Sequence, residues 1–324
     1  MTLEGRDILT LHDLTPDEIE RIVDLSVELK VRPRHTIPGK RLVMIFMNPS
    51  TRTQISFESA MSELGGASYS HGQNALQLAH GETFEDTGRV LSRYVHGVLI
   101  RYYGGPYGTC HATIQEVARG ASVPVINGAD DFEHPTQALA DLLTLKELGG
   151  DMRKKKIAFV WGWSSRPRSI GLIHSWLNMA AKVGLNFSLG YPKGYEPDDK
   201  VLKWTEEDSV KSGAQINYYT DMEEAVADAD IVYVKNWRDI RSSIDDEKKF
   251  RANKGKKLSQ WVVTPELMKY AKSDAKFMHC LPFERGLEVV DEVADGAQSI
   301  VWDQAENRYH INKGLLTAIL GGKM

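Results

Sequence analysis

The chain has 324 residues, a formal net charge of −4 and 42% hydrophobic residues, enough for two domains of ordinary size, each with its own core. Mild acidity excludes the basic field of a nucleic-acid binder, two cysteines exclude a disulfide scaffold, and no apolar run reaches the roughly 18 residues of a membrane span. The N-terminus is polar and lacks a signal-peptide core, so a cytoplasmic protein is expected.

Near the N-terminus, Leu14-Thr15-Pro16-Asp17-Glu18 carries a helix-start signature. Thr15 is the N-cap, Pro16 fills the first helical position, and acids follow in the first turn. This helix is expected to reach about residue 30. Arg41-Leu-Val-Met-Ile-Phe-Met47 is an apolar run of strand length, and Ile55-Ser-Phe-Glu-Ser-Ala-Met-Ser-Glu-Leu64 reads as a helix that stops at Gly65-Gly66. Ser50-Thr51-Arg52-Thr53 therefore sits on a strand-to-helix turn. Free N–H groups and the positive end of the helix dipole meet an anion there. Three hydroxyls and the Arg52 guanidinium add donors that suit a phosphate.

Residues 67–77 read as a strand end running into a loop, and 79–83 as an exposed loop. Helices are expected over 85–94 and 113–119, with strands over 98–103 and 123–127. His134-Pro135-Thr136-Gln137 opens a helix over 138–148, with Pro135 suited to the helix entry. Gly149-Gly150-Asp151 followed by Lys154-Lys155-Lys156 marks the boundary between domains 1–150 and 151–324. A second alternation follows, with strands over 157–161, 186–190, 215–219 and 231–235 and helices over 171–183, 200–212 and 222–227. Residues 242–259 are charge-dense and lack apolar periodicity; a solvated loop is expected, with a mobile lid as the functional alternative. The stretch 314–320 reads as a helix, and the last segment, from about 305, is expected to pack back on the first domain.

This alternation predicts an α/β chain of two doubly wound parallel sheets. Ligands sit at the carboxyl ends of strands in such sheets. The polar turns at Ser50, Arg101, His134, Lys235 and His279 all follow strand-like runs, which predicts that they converge on one crevice. No Gly-x-Gly-x-x-Gly and no Walker lysine follows a strand, so dinucleotide and nucleotide binding are not favoured. Cys110 and Cys280 are single and far apart, which gives zinc little support.

Ser50-Thr51-Arg52-Thr53, His80-Gly81-Glu82-Thr83, His134-Pro135-Thr136-Gln137, His279-Cys280-Leu281-Pro282 and Glu306-Asn307-Arg308 together resemble the aspartate/ornithine carbamoyltransferase family, in its order and spacing. Cys280 and the stretch Gln77-Leu78-Ala79-His80 resemble the ornithine branch. Taken singly, His134 reads as a helix-entry histidine, Cys280 as a buried thiol and Arg308 as a surface ion pair; the set points elsewhere. The resemblance implies a carbamoyl-phosphate domain, an acceptor domain and a last helix that crosses back. It implies a homotrimer, or a multiple of trimers, in which each site borrows a neighbour's loop holding Gln77 and His80. It implies that Ser50, Thr51, Arg52 and Thr53 hold the phosphate, and that Thr53, Arg101 and His134 meet the carbonyl oxygen. Gln137 would fix the carbamoyl NH2, Arg308 would add positive charge, Leu281 would help bind carbamoyl phosphate, and Cys280 would sit beside the attacking amine. No metal or organic cofactor is implied, because the leaving group is already activated, and the only partners implied beyond the homotrimer are small substrates.

Three departures from the family pattern stand out, the first weakening the positive field at the phosphate turn and the other two bearing on the acceptor. Gln54 stands where the family has a second arginine. Lys235-Asn236-Trp237 replaces the aspartate and the Ser-Met-Gly of ornithine enzymes, and resembles the N-acetylornithine, N-succinylornithine and oxamate-type enzymes. A lysine facing an α-ammonium is repulsive and partly desolvated, so free ornithine is expected to bind poorly, whereas an acyl carbonyl or a carboxylate suits the lysine. Gly162-Trp-Ser-Ser-Arg-Pro-Arg-Ser169 resembles the proline-containing loop of that subgroup, which implies a trefoil knot in the second domain. Residues 77–87 look like the ordinary ornithine enzymes. The expected reaction is carbamoyl transfer to ornithine or an ornithine-like amine, giving citrulline or its analogue. N-acylated ornithine or an oxamate-type compound is the alternative acceptor, and a non-catalytic carbamoyl-phosphate binder the alternative class.

Overall fold

A computed structural model of the chain describes residues 3–254 and 258–322. The fold divides into two compact units, one running to Thr144 and resuming at Glu306, the other Leu145–Ala305. Both are α/β, and every strand pair in both is parallel.

In the first unit, helix α1 (Pro16–Val31) starts on the expected capping box, in which Thr15 accepts from the Glu18 N–H and Glu18 accepts from the Thr15 N–H. Strand β1 (Arg41–Phe46) leads into α2 (Thr51–Glu63), then β2 (Ala67–Gly72), α3 (Phe84–Leu91), β3 (Gly97–Arg101), α4 (Thr109–Gly120), β4 (Val125–Ala129) and α5 (Pro135–Glu147). The strand order is β2-β1-β3-β4. Five of the six β1 residues are buried, as befits a strand covered on both faces. Val43, Ile45, Val98, Ile100, Ile114, Val117 and Val125 form one core cluster. β1 is followed by a strand on one side of it and then by one on the other, so the ends of β1 and β3 flank the switch point.

In the second unit, β5 (Lys156–Trp161), α6 (Gly171–Val183), β6 (Asn186–Gly190), α7 (Asp199–Ser212), β7 (Gln215–Tyr219), α8 (Met222–Val226) and β8 (Ile231–Lys235) precede α9 (Ile244–Lys254), α10 (Pro265–Met268), β9 (Lys276–Met278) and α11 (Asp291–Ala294). Here the order is β7-β6-β5-β8-β9, so the switch point lies between β5 and β8. The core is aromatic: Phe159 stacks on Tyr233 with centroids 4.2 Å apart, and Trp176 stacks on Phe187 at 5.5 Å. Helix α12 (Val301–Ile319) closes the chain and belongs to the first unit from Glu306 onward.

Four elements differ from expectation. The stretch 242–259 is not an open loop: it contains α9, capped by Ser243, whose Oγ accepts from the Asp246 N–H. Residues 255–257 of that stretch lie outside the described residues. α4 begins at Thr109 rather than at 113, and α12 begins at Val301 rather than at 314. The expected loop over 79–83 is partly ordered as short 3-10 turns, Gln73–Ala75 and Gln77–His80. Among the described residues no helix is long and apolar enough to cross a membrane.

Candidate functional site

In the first unit, Ser50 caps α2 in extended conformation, and its Oγ accepts from the Thr53 N–H at 3.2 Å. The cap fixes Thr51, Arg52 and Thr53 in the first helical turn, where N–H groups lack intrahelical acceptors. Thr51 is exposed, Arg52 half-buried and Thr53 buried. Across the switch point, the Tyr103 N–H donates to Asn48 Oδ1 at 2.8 Å, which ties the turn after β1 to the turn after β3.

Two guanidinium groups meet at Thr53. Arg101 Nη1 donates to Thr53 Oγ1 at 3.4 Å and to the Gly128 carbonyl at 3.0 Å. Arg308 Nη2 donates to the same Oγ1 at 3.2 Å and to Thr136 Oγ1 at 3.3 Å. Arg308 Nη1 donates to Gln137 Oε1 and lies 3.4 Å from His134 Nε2. Since a guanidinium only donates, His134 Nε2 is the acceptor and the ring proton is on Nδ1. Gln137 Nε2 donates to Asp141 Oδ1 at 2.8 Å, which fixes which way its amide faces. Arg308 is only 2% exposed, so it is no surface ion pair. These four partners are two hydroxyls, an amide and an imidazole, with no carboxylate among them. A second arginine beside it raises the positive potential further, and such a cluster favours a multiply charged anion.

The backbone next to this cluster is strained. Ala129, which follows the Gly128 carbonyl, has φ 140, unusual for a residue with a Cβ. The Asn127 side chain holds it there by accepting from the Ala129 N–H at 3.0 Å. Gln77 and His80 are exposed in their 3-10 turn. The structure thus brings Ser50, Thr53, Arg101, His134, Gln137 and Arg308 into one hydrogen-bonded group, with Thr51 and Arg52 on the same helix turn. It does not bring Gln77 or His80 into that group.

The second unit holds a separate group at its own switch point. Lys235 ends β8, and its Nζ donates to the Asn236 carbonyl at 3.0 Å and the Ser169 carbonyl at 3.3 Å. Asn236 is fully buried. Its N–H donates to Glu288 Oε1 at 2.8 Å, its Nδ2 to the Arg166 carbonyl at 2.9 Å, and its Oδ1 accepts from Arg251 at 2.8 Å. Trp237 is also fully buried, with Nε1 donating to the Tyr195 carbonyl at 2.9 Å. Asn236 and Trp237 are therefore turned into the unit, beneath the strand end that carries Lys235.

Cys280 and Leu281 follow β9 and are both half-buried. Leu281 has φ 54, and its N–H donates to His279 Nδ1 at 2.8 Å, which holds this left-handed turn. That bond places the His279 proton on Nε2, 3.4 Å from Glu288 Oε1. Burial opposes the Glu288 carboxylate, but His279, the Glu284 N–H and the nearby Lys235 ammonium outweigh it and hold its pKa below the ordinary value. Glu288 thus joins the turn after β9 to the turn after β8. Sequence reading missed it, together with Thr136, Glu247 and Arg251. Thr136 lay in a quoted motif, and Glu247 with Arg251 has the i,i+4 spacing of a helix ion pair.

The family described as "Aspartate/ornithine carbamoyltransferase, carbamoyl-P binding domain" matches residues 6–147, and the one described as "Aspartate/ornithine carbamoyltransferase, Asp/Orn binding domain" matches residues 153–319. The chain is 42% identical to an ornithine carbamoyltransferase of Pyrococcus abyssi, over 99% of this chain and 98% of that one. It is 44% identical to an ornithine carbamoyltransferase of Staphylothermus marinus, over 98% and 99% of the two chains. Among solved structures, the ornithine carbamoyltransferase of Pyrococcus furiosus superposes with a TM-score of 0.89 at 40% identity, covering 100% of both chains. An acetylornithine transcarbamylase complexed with acetylcitrulline superposes with a TM-score of 0.88 at 26% identity, covering 97% of this chain and 99% of that one.

Proposed function

The chain belongs to the aspartate/ornithine carbamoyltransferase family, and from that premise we propose that it moves the carbamoyl group of carbamoyl phosphate to the side-chain amine of ornithine, giving citrulline and phosphate. The observation that carries this reading is the buried Arg308, which donates to Thr53, Thr136 and Gln137 and meets a second arginine, Arg101, at the Thr53 hydroxyl. Such a cluster calls for an anion, and carbamoyl phosphate brings two negative charges with a reactive carbonyl.

The roles follow from donor chemistry. Ser50, Thr51, Arg52 and Thr53, at the start of α2, bind the phosphate and stabilise it as it leaves. Arg101, the Nδ1–H of His134 and the Thr53 hydroxyl donate to the carbonyl oxygen, where negative charge grows. Gln137 Oε1 has two lone pairs, so it accepts from the carbamoyl NH2 while still engaged with Arg308. The neutral amine forms the new C–N bond, the C–O bond to phosphate breaks with its electron pair leaving on phosphate, and the proton lost by the amine nitrogen passes to the departing phosphate. The Cys280 side chain and the Leu281 backbone orient that amine. The reaction needs no cofactor, because alignment of an activated donor supplies the acceleration.

On the acceptor side, Lys235 presents the binding surface, and the buried Asn236 and Trp237 support it from beneath rather than touching the acceptor. The Lys235 ammonium is engaged by two backbone carbonyls and lies in the field of Glu288. Its charge is compensated within the protein, which relieves the repulsion that a bare lysine would exert on the α-ammonium of free ornithine. N-acylated ornithine is the second reading, favoured by the Lys-Asn-Trp sequence and the acetylornithine transcarbamylase likeness.

Gln77 and His80 are exposed and lie outside the arginine cluster, which supports a homotrimer in which a neighbouring subunit supplies them. A knot in the second unit is supported by the Trp163 N–H donating to the Trp261 carbonyl at 2.7 Å and the Arg238 N–H to the Arg168 carbonyl at 3.0 Å. These bonds lay the returning chain along the 162–169 loop. Two thiols suit a reducing compartment such as the cytoplasm.

The test is to supply carbamoyl phosphate with ornithine, N-acetylornithine, N-succinylornithine, oxamate and aspartate, and to measure phosphate release and ureido product. Citrulline from ornithine is the expected result. Tight carbamoyl-phosphate binding without turnover on any amine would make the chain a binder and overturn the reading.

A further inference from the structure

Helix α9 is highly polar, and among its described residues the only buried side chains are a glutamate and an arginine, Glu247 at 3% and Arg251 at 4% exposure. A helix of globular protein ordinarily faces its core with apolar residues. This one faces it with an ion pair, whose Nε···Oε1 distance is 2.7 Å. Burying a charge pair is costly unless most of its donors and acceptors are satisfied. Here they are. Arg251 Nε donates to Glu247, Nη1 to the Ser164 carbonyl at 2.7 Å and to Asn236 Oδ1 at 2.8 Å, and Nη2 to the Trp237 carbonyl at 2.8 Å. Glu247 Oε1 also accepts from the Tyr195 hydroxyl at 2.9 Å. The guanidinium lies over the rings of Trp161, Trp163 and Tyr195, at 5.4, 5.8 and 5.9 Å from their centroids.

The partners of Arg251 lie on the two turns that flank the β5/β8 switch point. Ser164 belongs to the turn after β5; Asn236 and Trp237 belong to the turn after β8 and immediately follow Lys235. We propose that Arg251 is the positioning residue of the acceptor half-site: it clasps the turn after β5 to the turn after β8 and so fixes where the Lys235 end of β8 presents its groups. The planar fork of the guanidinium is what makes this work, because it reaches three acceptors on two segments at once. A lysine ammonium keeps the charge against Glu247 but cannot span that set. The role rests on the carbamoyl-transfer reading only for its activity readout.

Two variants test it. Arg251→Lys keeps the ion pair and removes the fork. The paired change Arg251→Met with Glu247→Gln removes both buried charges together, so no unpaired charge is left to unfold the unit. In both, the acceptor KM is expected to rise at least tenfold, while carbamoyl-phosphate affinity, set in the other unit, stays within twofold of the parent. Hydrogen exchange at the Asn236 and Trp163 amides gives a readout independent of activity. Their protection is expected to fall at least tenfold, with β6 amides unchanged. Folded variants with unchanged acceptor KM, or with protected Asn236 and Trp163 amides, overturn the clasp. A parent enzyme inactive on every amine defeats the functional reading alone, and the exchange measurement then still decides the clasp.

Discussion

Arg308 shows what a single residue can reveal and what it hides. Its motif pointed to a site, yet read alone it resembled a surface ion pair, because sequence does not record burial. Burial beside Arg101 and the start of α2 makes it a source of positive charge for a ligand. Arg308→Met is expected to lower kcat/KM by about 100- to 1,000-fold, the scale of losing one donor to developing charge. Steady-state kinetics with carbamoyl phosphate measures it, and a loss below tenfold would remove Arg308 from the reacting group. The two cysteines separate by environment in the same way. Burial, with the Asp131 and Asp130 charges adding to it, pushes the Cys110 thiol up to about 11 despite a hydrogen bond from Gly105. Cys110 is fully buried, whereas Cys280 is half-exposed. Iodoacetamide at neutral pH is therefore expected to label Cys280 and spare Cys110, as peptide mass spectrometry will show; the nucleophile is the thiolate, which Cys110 cannot populate. Glu288 was not legible, because nothing local in the sequence ties it to Asn236.

At the scale of elements, apolar periodicity found the strands and failed where other forces build a helix. α9 has no apolar stripe to find, since its buried face is Glu247 and Arg251. α4 starts earlier than its local pattern suggests because its cap comes from elsewhere: Asp131 accepts from the Cys110 and His111 N–H groups, at 3.2 and 3.0 Å. α12 buries Gln304, Asn307, Arg308, Asn312 and Lys313, so its inward face reads as polar. Gly314 sits mid-helix in α12, where a glycine costs about 1 kcal/mol relative to alanine. The reason is proximity: a Cβ there would lie 2.1 Å from Ser26 Oγ and 2.5 Å from the Ile22 carbonyl of α1. Gly314→Ala is expected to cost about 1–3 kcal/mol through overpacking. Because α12 also carries Arg308, carbamoyl-phosphate affinity should fall with it; denaturant melts and calorimetry test both. The α4 cap also carries a pH signature. Burial opposes the His111 imidazolium, but the Asp130 hydrogen bond and charge, with Glu133 and Asp131, raise its pKa above the ordinary value. That stabilisation is fully present below the unfolded value of about 6.5 and is lost as pH rises through the raised folded value. His111→Gln is expected to flatten the fall in stability across that window, read as denaturation midpoints against pH.

For the whole molecule, the β-α alternation was enough to read two parallel sheets, and the strand-end turns were enough to find residues beside both switch points. Assembly is a different matter, because a sequence does not show which surfaces a second copy covers. Gln77 and His80 make the trimer testable without a structure of it. If each site takes His80 from a neighbour, His80→Ala and Arg308→Ala damage different subunits of the same site. Each variant alone is expected to be nearly inactive. Unfolding and refolding an equal mixture gives random hybrids, in which a site is intact when its own chain keeps Arg308 and its neighbour keeps His80. Each condition holds half the time, so about one quarter of wild-type activity should return if association is a closed ring of identical subunits. The recovered activity should elute at about three times the 36.4 kDa chain mass, or a multiple of that. Mixtures that stay inactive while eluting as mixed oligomers would place His80 in its own chain's site and would remove the borrowed-loop arrangement.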